Sequence, residues 1–352
     1  MKKGISINIS KTVASLVKNL PPRNRDIISR RFGLRNGKRE TLESIGRSYG
    51  ITRERVRQIE EVNLNQLAKT IGDNKEIEKY ISLAQEILKS KGGIIKESDL
   101  FNEFSGDSRY NVVNASLTFL LTLNRELVRF PENDFYHSFW SINSQNLNSF
   151  RAMSDSLINS LNKHNKVLNK DEFFSLASNG GILGFDGRQF SDKHLEILLT
   201  INKSLSQNIF NQVGLIEWAE IKPKGVRDKA YLVLKKEKNP KHFSEIAKMI
   251  NVSGFDGKKA NVQTVHNELI KDSRFVLIGR GMYALSEWGY KPGTVQEVLV
   301  DILKNSSKPI ARAALIAKVM DVRMVKENTI LLNLQNSKIF TKKDDGSYTL
   351  KG

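Results

Sequence analysis

The stretch Thr41-Leu42-Glu43-Ser44-Ile45-Gly46-Arg47-Ser48-Tyr49-Gly50-Ile51-Thr52-Arg53-Glu54-Arg55-Val56-Arg57-Gln58-Ile59-Glu60 decides the reading of this chain. Thr41 and Thr52 each precede an apolar-periodic run, where a hydroxyl can cap a helix. Gly50 lies between them, where one helix can stop and the chain turn. Two short helices joined by a tight turn are predicted, the second running to about Lys69. On that second helix Arg53, Glu54, Arg57 and Gln58 cluster on one N-terminal face. Val56 and Ile59 point to another, where Ile45 and Ile51 can pack. This is the layout of a helix-turn-helix whose second helix enters the major groove of double-stranded DNA. Arg can hold guanine O6 and N7, Gln can hold adenine, and Glu can accept from cytosine N4. Arg55, with Arg23, Arg31, Arg35, Lys38 and Arg39, would meet phosphates, where charge adds affinity without sequence information. The amides of the helix that starts after Thr41 offer a further phosphate seat. The same residues admit a plainer reading: a solvated face on which Arg53, Arg55 and Arg57 pair with Glu54, Glu60 and Glu61.

Upstream, Val13, Leu16, Val17 and Leu20, then Ile27, Ile28 and Phe32, recur at helical spacing, broken at Pro21-Pro22. Gly33 and Gly37 end the second of these helices, and Gly72-Asp73-Asn74 marks a domain boundary. The 352 residues carry a net charge of +18, and residues 1–70 alone hold 16 Lys and Arg against 6 Asp and Glu. So the basic focus coincides with the helix-turn-helix, and the excess points to a polyanion, nucleic acid or an anionic membrane. A hydrophobic fraction of 39% can supply real cores. There are no cysteines, hence no disulfides or thiolate metal sites. No apolar run approaches the ~20 residues that span a bilayer. The start, Met1 to Asn8, lacks the apolar core of a signal peptide, so a cytoplasmic protein without membrane association is expected.

Leu20-Pro21-Pro22-Arg23, Ile28-Ser29-Arg30-Arg31-Phe32-Gly33-Leu34, Thr41 to Gly46 and Thr52 to Glu60 resemble region 4 of the sigma-70 family of bacterial RNA polymerase sigma factors, over roughly residues 18–68. The resemblance implies that the second helix reads the promoter minus-35 element. Arg53, Glu54, Arg57 and Gln58 then hold the base-reading positions, and Arg23, Arg31, Thr41, Leu42 and Glu43 lie near the DNA backbone. It also implies RNA polymerase core as a partner, because the apolar side of the first helices in that family docks on the β-subunit flap. Two features depart from the family. Sigma factors carry region 4 at the C-terminus, behind a domain that melts the minus-10 element; here it is N-terminal, and no stretch resembles that domain. After Glu61 the family stays basic, whereas this chain has Asn63, Asn65 and Gln66. The expectation is a promoter-reading head on a regulator, not a stand-alone initiating sigma factor.

Beyond residue 72 one pattern recurs four times: helical stretches, then a strand, a turn and a second strand. The strand pairs are Leu127–Phe130 with Phe135–Trp140, Ile209–Asn211 with Leu215–Trp218, Phe275–Ile278 with Met282–Leu285, and Lys338–Thr341 with Ser347–Leu350. An isolated hairpin is marginal in water, so each must pack on its helices, which is the outline of a winged helix. The fold class expected is mainly α with small β-hairpins: an N-terminal helix-turn-helix domain (1–72) followed by tandem winged-helix-like units at 73–146, 147–222, 223–292 and 293–352. Arg227-Asp228-Lys229-Ala230-Tyr231, His242 to Ala247, Val262 to Leu269 and Phe275 to Leu285 resemble the HARE-type helix-turn-helix, a winged-helix module. That family occurs in the delta subunit of some bacterial polymerases, in chromatin proteins and in restriction systems. In this unit Ser244 is expected to cap a helix, and Gly279 and Gly281 to tighten the wing. Lys258, Lys259 and Gln263, with Asn261 and His266, could form a second DNA face; a protein-binding surface is an equal reading.

Nothing in the sequence supports an active site, a metal or a cofactor. The five histidines are scattered and expected at the surface or at boundaries. Phe139, Trp140, Trp218 and Trp288 are expected in hairpin cores and not as base-stacking platforms. Three functions follow: a DNA-binding transcription factor on promoter DNA, RNA polymerase or both; a delta-like polymerase adaptor without sequence readout; and a restriction-system component, against which the lack of catalytic carboxylates argues.

Overall fold

A computed structural model describes residues 2–72, 74–255, 257–306 and 308–351, with side chains from residue 8 onward. Asp73, in the expected domain boundary, lies outside the described residues. The chain divides into two compact units, Met1–Gln207 with Asn211–Ile216, and Asn208–Phe210 with Glu217–Gly352. Each is mainly helical with small sheets.

The first unit opens with α1 (Lys2–Lys18), α2 (Pro22–Phe32), α3 (Leu42–Tyr49) and α4 (Arg53–Ala68). Pro22 sits at the start of α2, where its missing N–H costs nothing, and Gly33 ends the helix at φ 68°. There follow α5 (Lys75–Ser90), β1 (Ile94–Lys96), α6 (Glu97–Ser105), α7 (Val112–Leu123), β2 (Val128–Phe130) and β3 (Phe139–Ser141). The unit closes with α8 (Ser144–His164), α9 (Lys170–Asn179), α10 (Asp192–Ile201), β4 (Leu205–Gln207) and β5 (Val213–Leu215). The second unit holds α11 (Val226–Glu237), β6 (Lys241–His242), α12 (Phe243–Val252), α13 (Val262–Lys271), β7 (Phe275–Gly279) and β8 (Met282–Leu285). It ends with α14 (Val295–Lys304), β9 (Ile310–Ala311), α15 (Arg312–Val322), α16 (Glu327–Leu334), β10 (Phe340–Lys342) and β11 (Ser347–Leu350).

One element order recurs: helix, strand, helix, helix, strand, strand. In three places the strands form a small antiparallel sheet with the last strand in the middle, β1-β3-β2, β6-β8-β7 and β9-β11-β10. In residues 144–215 the leading strand shrinks to a single bridge, Leu168 to Val213, beside β5. These leading strands were not foreseen from the sequence, because at two or three residues they show no alternation to read.

The third hairpin pairs as expected, and the other three depart from expectation for a common reason. Asparagine side chains capture backbone amides and turn segments that look strand-like. Asn208 Oδ1 accepts from Phe210 N–H (2.9 Å) and Asn211 adopts φ 60°, so residues 208–212 are the turn and the strands are 205–207 and 213–215, not 209–211 and 215–218. Asn133 Oδ1 accepts from Phe135 and Tyr136 N–H (2.9 and 2.7 Å), which delays β3 to Phe139. Asn336 does the same to Lys338 N–H (3.2 Å), so β10 begins at Phe340.

The helix-turn-helix helices do not stand on a core of their own alone. Val13, Leu16, Val17, Leu20, Ile28, Phe32 and Leu67 are buried in one cluster with Leu117, Phe119 and Leu120 of α7 and with residues of α5 and α6. Phe32 meets Phe119 edge-on with ring centroids 5.1 Å apart, and Tyr110 Oη donates to the Phe32 carbonyl (2.8 Å). At ~1.5–3 kcal/mol per buried Leu, Ile or Phe, this seam ties α1 and α2 firmly to α7. A polar clamp reinforces it. Buried Glu97 accepts two hydrogen bonds from Arg129 (both 2.7 Å), and Arg39 reaches it at 3.6 Å. Burial pushes the Glu97 carboxyl up, yet the Arg129 bonds and the charges of Arg129 and Arg39 hold it below its ordinary value.

His194 corrects the expectation of surface histidines. It is buried, with Nε2 facing Asp186 Oδ1 (3.0 Å) and Nδ1 facing Ser191 Oγ (2.9 Å), because it doubles as a capping residue for α10. Phe139 and Trp140 are fully buried. No helix among the described residues is long and apolar enough to cross a membrane.

Candidate nucleic-acid interface

The geometry of α3 and α4 follows from their caps. Thr41 Oγ1 accepts from Ser44 N–H (3.1 Å), and Thr52 Oγ1 accepts from Arg55 N–H (3.1 Å). Gly50 closes α3 at φ 63°, a conformation glycine adopts without steric cost. A second glycine matters more and was missed in the sequence. A Cβ at Gly46 would stand 2.7 Å from the Ile51 carbonyl oxygen, so only glycine lets the chain fold back this tightly. The visible signal was an invitingly small residue inside a short helix.

The inner face of the motif is small and complete. Ile27, Ile45 and Val56 are fully buried together, flanked by Leu42, Tyr49, Ile51 and Ile59. Polar bonds brace it: Arg30 clamps Glu40 with two hydrogen bonds (2.9 and 2.7 Å) and donates to Ser48 Oγ (2.8 Å), while Tyr49 donates to Asp26 (2.8 Å).

With that face fixed, Arg53, Glu54, Arg57 and Gln58 are all exposed at the start of α4. The structure brings these four together on one surface. Arg57 is held in a specific pose, because its guanidinium donates to both Glu54 oxygens (3.0 and 2.8 Å) and to Glu61 Oε2 (3.1 Å). The Glu54 bond raises the Arg57 pKa, and the same bond lowers that of Glu54. Arg55 donates to Gln58 Oε1 (3.1 Å). The plainer reading holds for Arg57, which pairs with Glu54 and Glu61 at the start of α4; Arg55 turns to Gln58 instead, and Glu60 is taken by Arg31 of α2.

The backbone candidates divide. Arg31, Thr41, Leu42, Glu43 and Arg53 line one open groove at the N-termini of α3 and α4. Leu42 leans its side chain onto the small core, so what it offers outward is its backbone amide. Glu43 pairs with Arg47 (3.3 Å) and Arg31 with Glu60 (3.2 Å). Arg23 lies apart from this groove, its guanidinium 5.3 Å from the Tyr49 ring centroid.

The second candidate face keeps three of its five residues. Lys258, Lys259 and Gln263 are exposed before and at the start of α13. Asn261 is spent capping α13, and His266 stacks on Phe243 (4.4 Å between ring centroids), which turns it inward. The cap of α12 is also not Ser244 but His242, whose Nδ1 accepts from Ser244 N–H (3.3 Å) while Glu245 accepts from His242 N–H (3.3 Å). The imidazole reaches the position a hydroxyl was expected to fill. Gly281 turns the β7–β8 hairpin at φ 67°, and a Cβ on Gly279 would meet the Met324 carbonyl at 2.8 Å.

Compared with known proteins, residues 16–69 match the family Sigma-70, region 4. This segment is a sigma-70 region 4 domain. The RNA polymerase principal sigma factor HrdD of Streptomyces coelicolor is 41% identical over 64 residues, 18% of this chain and 19% of that protein. The sigma factor SigA of Nostoc is 43% identical over 63 residues, 18% of this chain and 16% of the relative, and SigA1 of Synechococcus elongatus 46% over 52 residues, 15% and 13%. The chain thus spans less than a fifth of the length of these relatives, and the likeness covers no more than 18% of this chain.

Proposed function

We propose that this protein is a DNA-binding transcription factor whose region 4 domain reads promoter DNA resembling a minus-35 element, with no catalytic activity of its own. The observation that carries this reading is the seat of α4. Val56 and Ile45 fix its inner face, and Arg53, Glu54, Arg57 and Gln58 are exposed at its N-terminal end, the end that reaches base edges in a major groove. The groove lined by Arg31, Thr41, Leu42, Glu43 and Arg53 would seat the phosphates beside them.

The alternative, a polymerase adaptor without base readout, is disfavoured by one observation. The apolar side of α1 and α2, which the sigma resemblance would dock on the polymerase flap, is buried against α7 of the same chain. Association with RNA polymerase would then use another surface or require α7 to move away. We read the four recurring units at 73–146, 147–222, 223–292 and 293–352 as winged helices on the strength of their shared strand order, and the third as HARE type on the sequence resemblance alone. Lys258, Lys259 and Gln263 would supply the third with a weak, sequence-blind hold on DNA. Tandem weak modules raise effective concentration for the reading head.

Fluorescence anisotropy on a minus-35-like duplex and a scrambled duplex tests the proposal. Arg57→Ala is expected to cost ~1–3 kcal/mol on the cognate duplex and to narrow the gap between the two. Equal binding of both duplexes by parent and variant alike would leave the adaptor reading in its place.

A further inference from the structure

The second half of α4, from Val62 to Ala68, carries no cation of its own. Yet Asn65 stands seven residues after Gln58, two turns along the same face and about 10.5 Å further up the helix. A B-DNA major groove is about 12 Å wide. A helix whose first turns reach the base edges therefore carries the group two turns on toward the phosphates that border the groove. At that position the chain places an arginine from elsewhere. Arg125, in the turn between α7 and β2, donates a hydrogen bond from its guanidinium to Asn65 Oδ1. It is exposed and shares a groove with Arg57, Glu61 and Asn65. Among the described residues its hydrogen-bond partner is this neutral amide, and no carboxylate lies within ion-pair distance. α7 packs against α1, α2 and α4, so the Arg125 backbone is carried on the same rigid core as the reading helix.

We propose that Arg125 is a phosphate-contacting residue of the DNA interface, contributed by the unit that follows region 4 and aimed by Asn65. The inference rests on the DNA-binding reading above. A guanidinium clamped by an amide keeps donors available for two phosphate oxygens, a geometry that lysine does not reproduce. The unit after region 4 thereby replaces charge that α4 lacks in its second half, and the surface that reads DNA crosses from one module to the next.

Salt titration of duplex affinity tests the assignment, using the full chain, the minus-35-like and scrambled duplexes, and the variants Arg125→Ala and Arg57→Ala. One phosphate contact contributes about 0.9 to the slope of log K against log salt. Arg125→Ala is expected to weaken both duplexes alike, about fivefold at physiological salt, and to reduce the slope by about one. Asn65→Ala, which frees the guanidinium without removing it, should weaken binding less and keep the slope. Thermal unfolding of each variant confirms that the fold is kept. If Arg57→Ala loses discrimination while Arg125→Ala leaves affinity and slope unchanged, the Arg125 assignment is overturned and the base-reading proposal stands. If the parent binds neither duplex, both are overturned.

Discussion

The chain contains two helix pairs that carry the candidate DNA faces, α3–α4 and α12–α13, and they are built in opposite ways. The first turns on three residues between helices and closes over a core of three fully buried side chains, Ile27, Ile45 and Val56. Its stiffness comes from polar bonds such as Arg30–Glu40 and Tyr49–Asp26, and its outer face is charged. The second separates its helices more widely, α12 ending at Val252 and α13 starting at Val262, and rests on a broad apolar core that includes Ile246, Ile250, Val265, Leu269, Phe275 and Tyr283. The outer face of α13 offers Gln263, Thr264 and Asn267, with no arginine. The contrast teaches that surface charge and apolar packing are divided between them: a small, tightly turned motif braced by polar bonds carries the charged face, and a larger module carries the broad apolar core.

The largest expected break in that contrast is a core truncation. Ile45→Ala should cost ~2–5 kcal/mol of stability, as should Leu269→Ala in the other pair. The consequences should differ. Because Ile45 is one of just three fully buried side chains in that small core, Ile45→Ala is expected to abolish duplex binding. Leu269→Ala, measured at a temperature where the chain stays folded, should leave the gap between the minus-35-like and scrambled duplexes intact, because the hold on DNA proposed for that unit carries no sequence information. Equal loss in both variants would mean that the two pairs share the reading task.

A smaller effect probes the turn. Gly46→Ala drives a methyl against the Ile51 carbonyl, a backbone atom that cannot swing aside. Such overpacking costs ~1–3 kcal/mol. Chemical denaturation should show the loss, and the same substitution at Gly254, where nothing lies within 4 Å but φ is 70°, should cost only the αL penalty of about 1 kcal/mol. If Gly46→Ala proves as mild as that, the tight turn is not what holds α3 against α4.

How far residues alone reveal such a structure depends on where the deciding information is local. Thr41, Gly50 and Thr52 are caps and stops whose partners lie within four residues, so α3 and α4 were legible, as was the seating of Val56 on Ile45. The reading face of α4 followed from the same local period. The residues that follow Asn133 and Asn336, and the turn at Asn208, were misread as strand because apolar residues stand there, while asparagine competes for the backbone amides through its own side chain. The burial of α1 and α2 beneath α7, and the approach of Arg125 to Asn65, were invisible. They join residues dozens of positions apart, and no pattern of type or spacing marks them.

The smallest effect separates polar from apolar bracing by pH. The hydrogen bonds from Arg30 lower the Glu40 pKa in the folded chain. A depressed carboxylate stabilises the fold fully above its unfolded value, ~4.3, and that contribution fades as pH falls through the lower folded value. Glu40 is partly exposed, so the contribution is screened to below about 1 kcal/mol. Hydrogen exchange at α3 amides should therefore accelerate on going from pH 6 to pH 3, after correction for intrinsic rates, and Glu40→Gln should flatten that difference. At α13, the buried side chains Val265 and Leu269 supply the contact with the core, and their packing does not titrate. Acid that loosens α3 in the parent but not in Glu40→Gln places the weak point of the reading motif at the Arg30–Glu40 clamp. The same loosening in both would place the weak point outside that clamp.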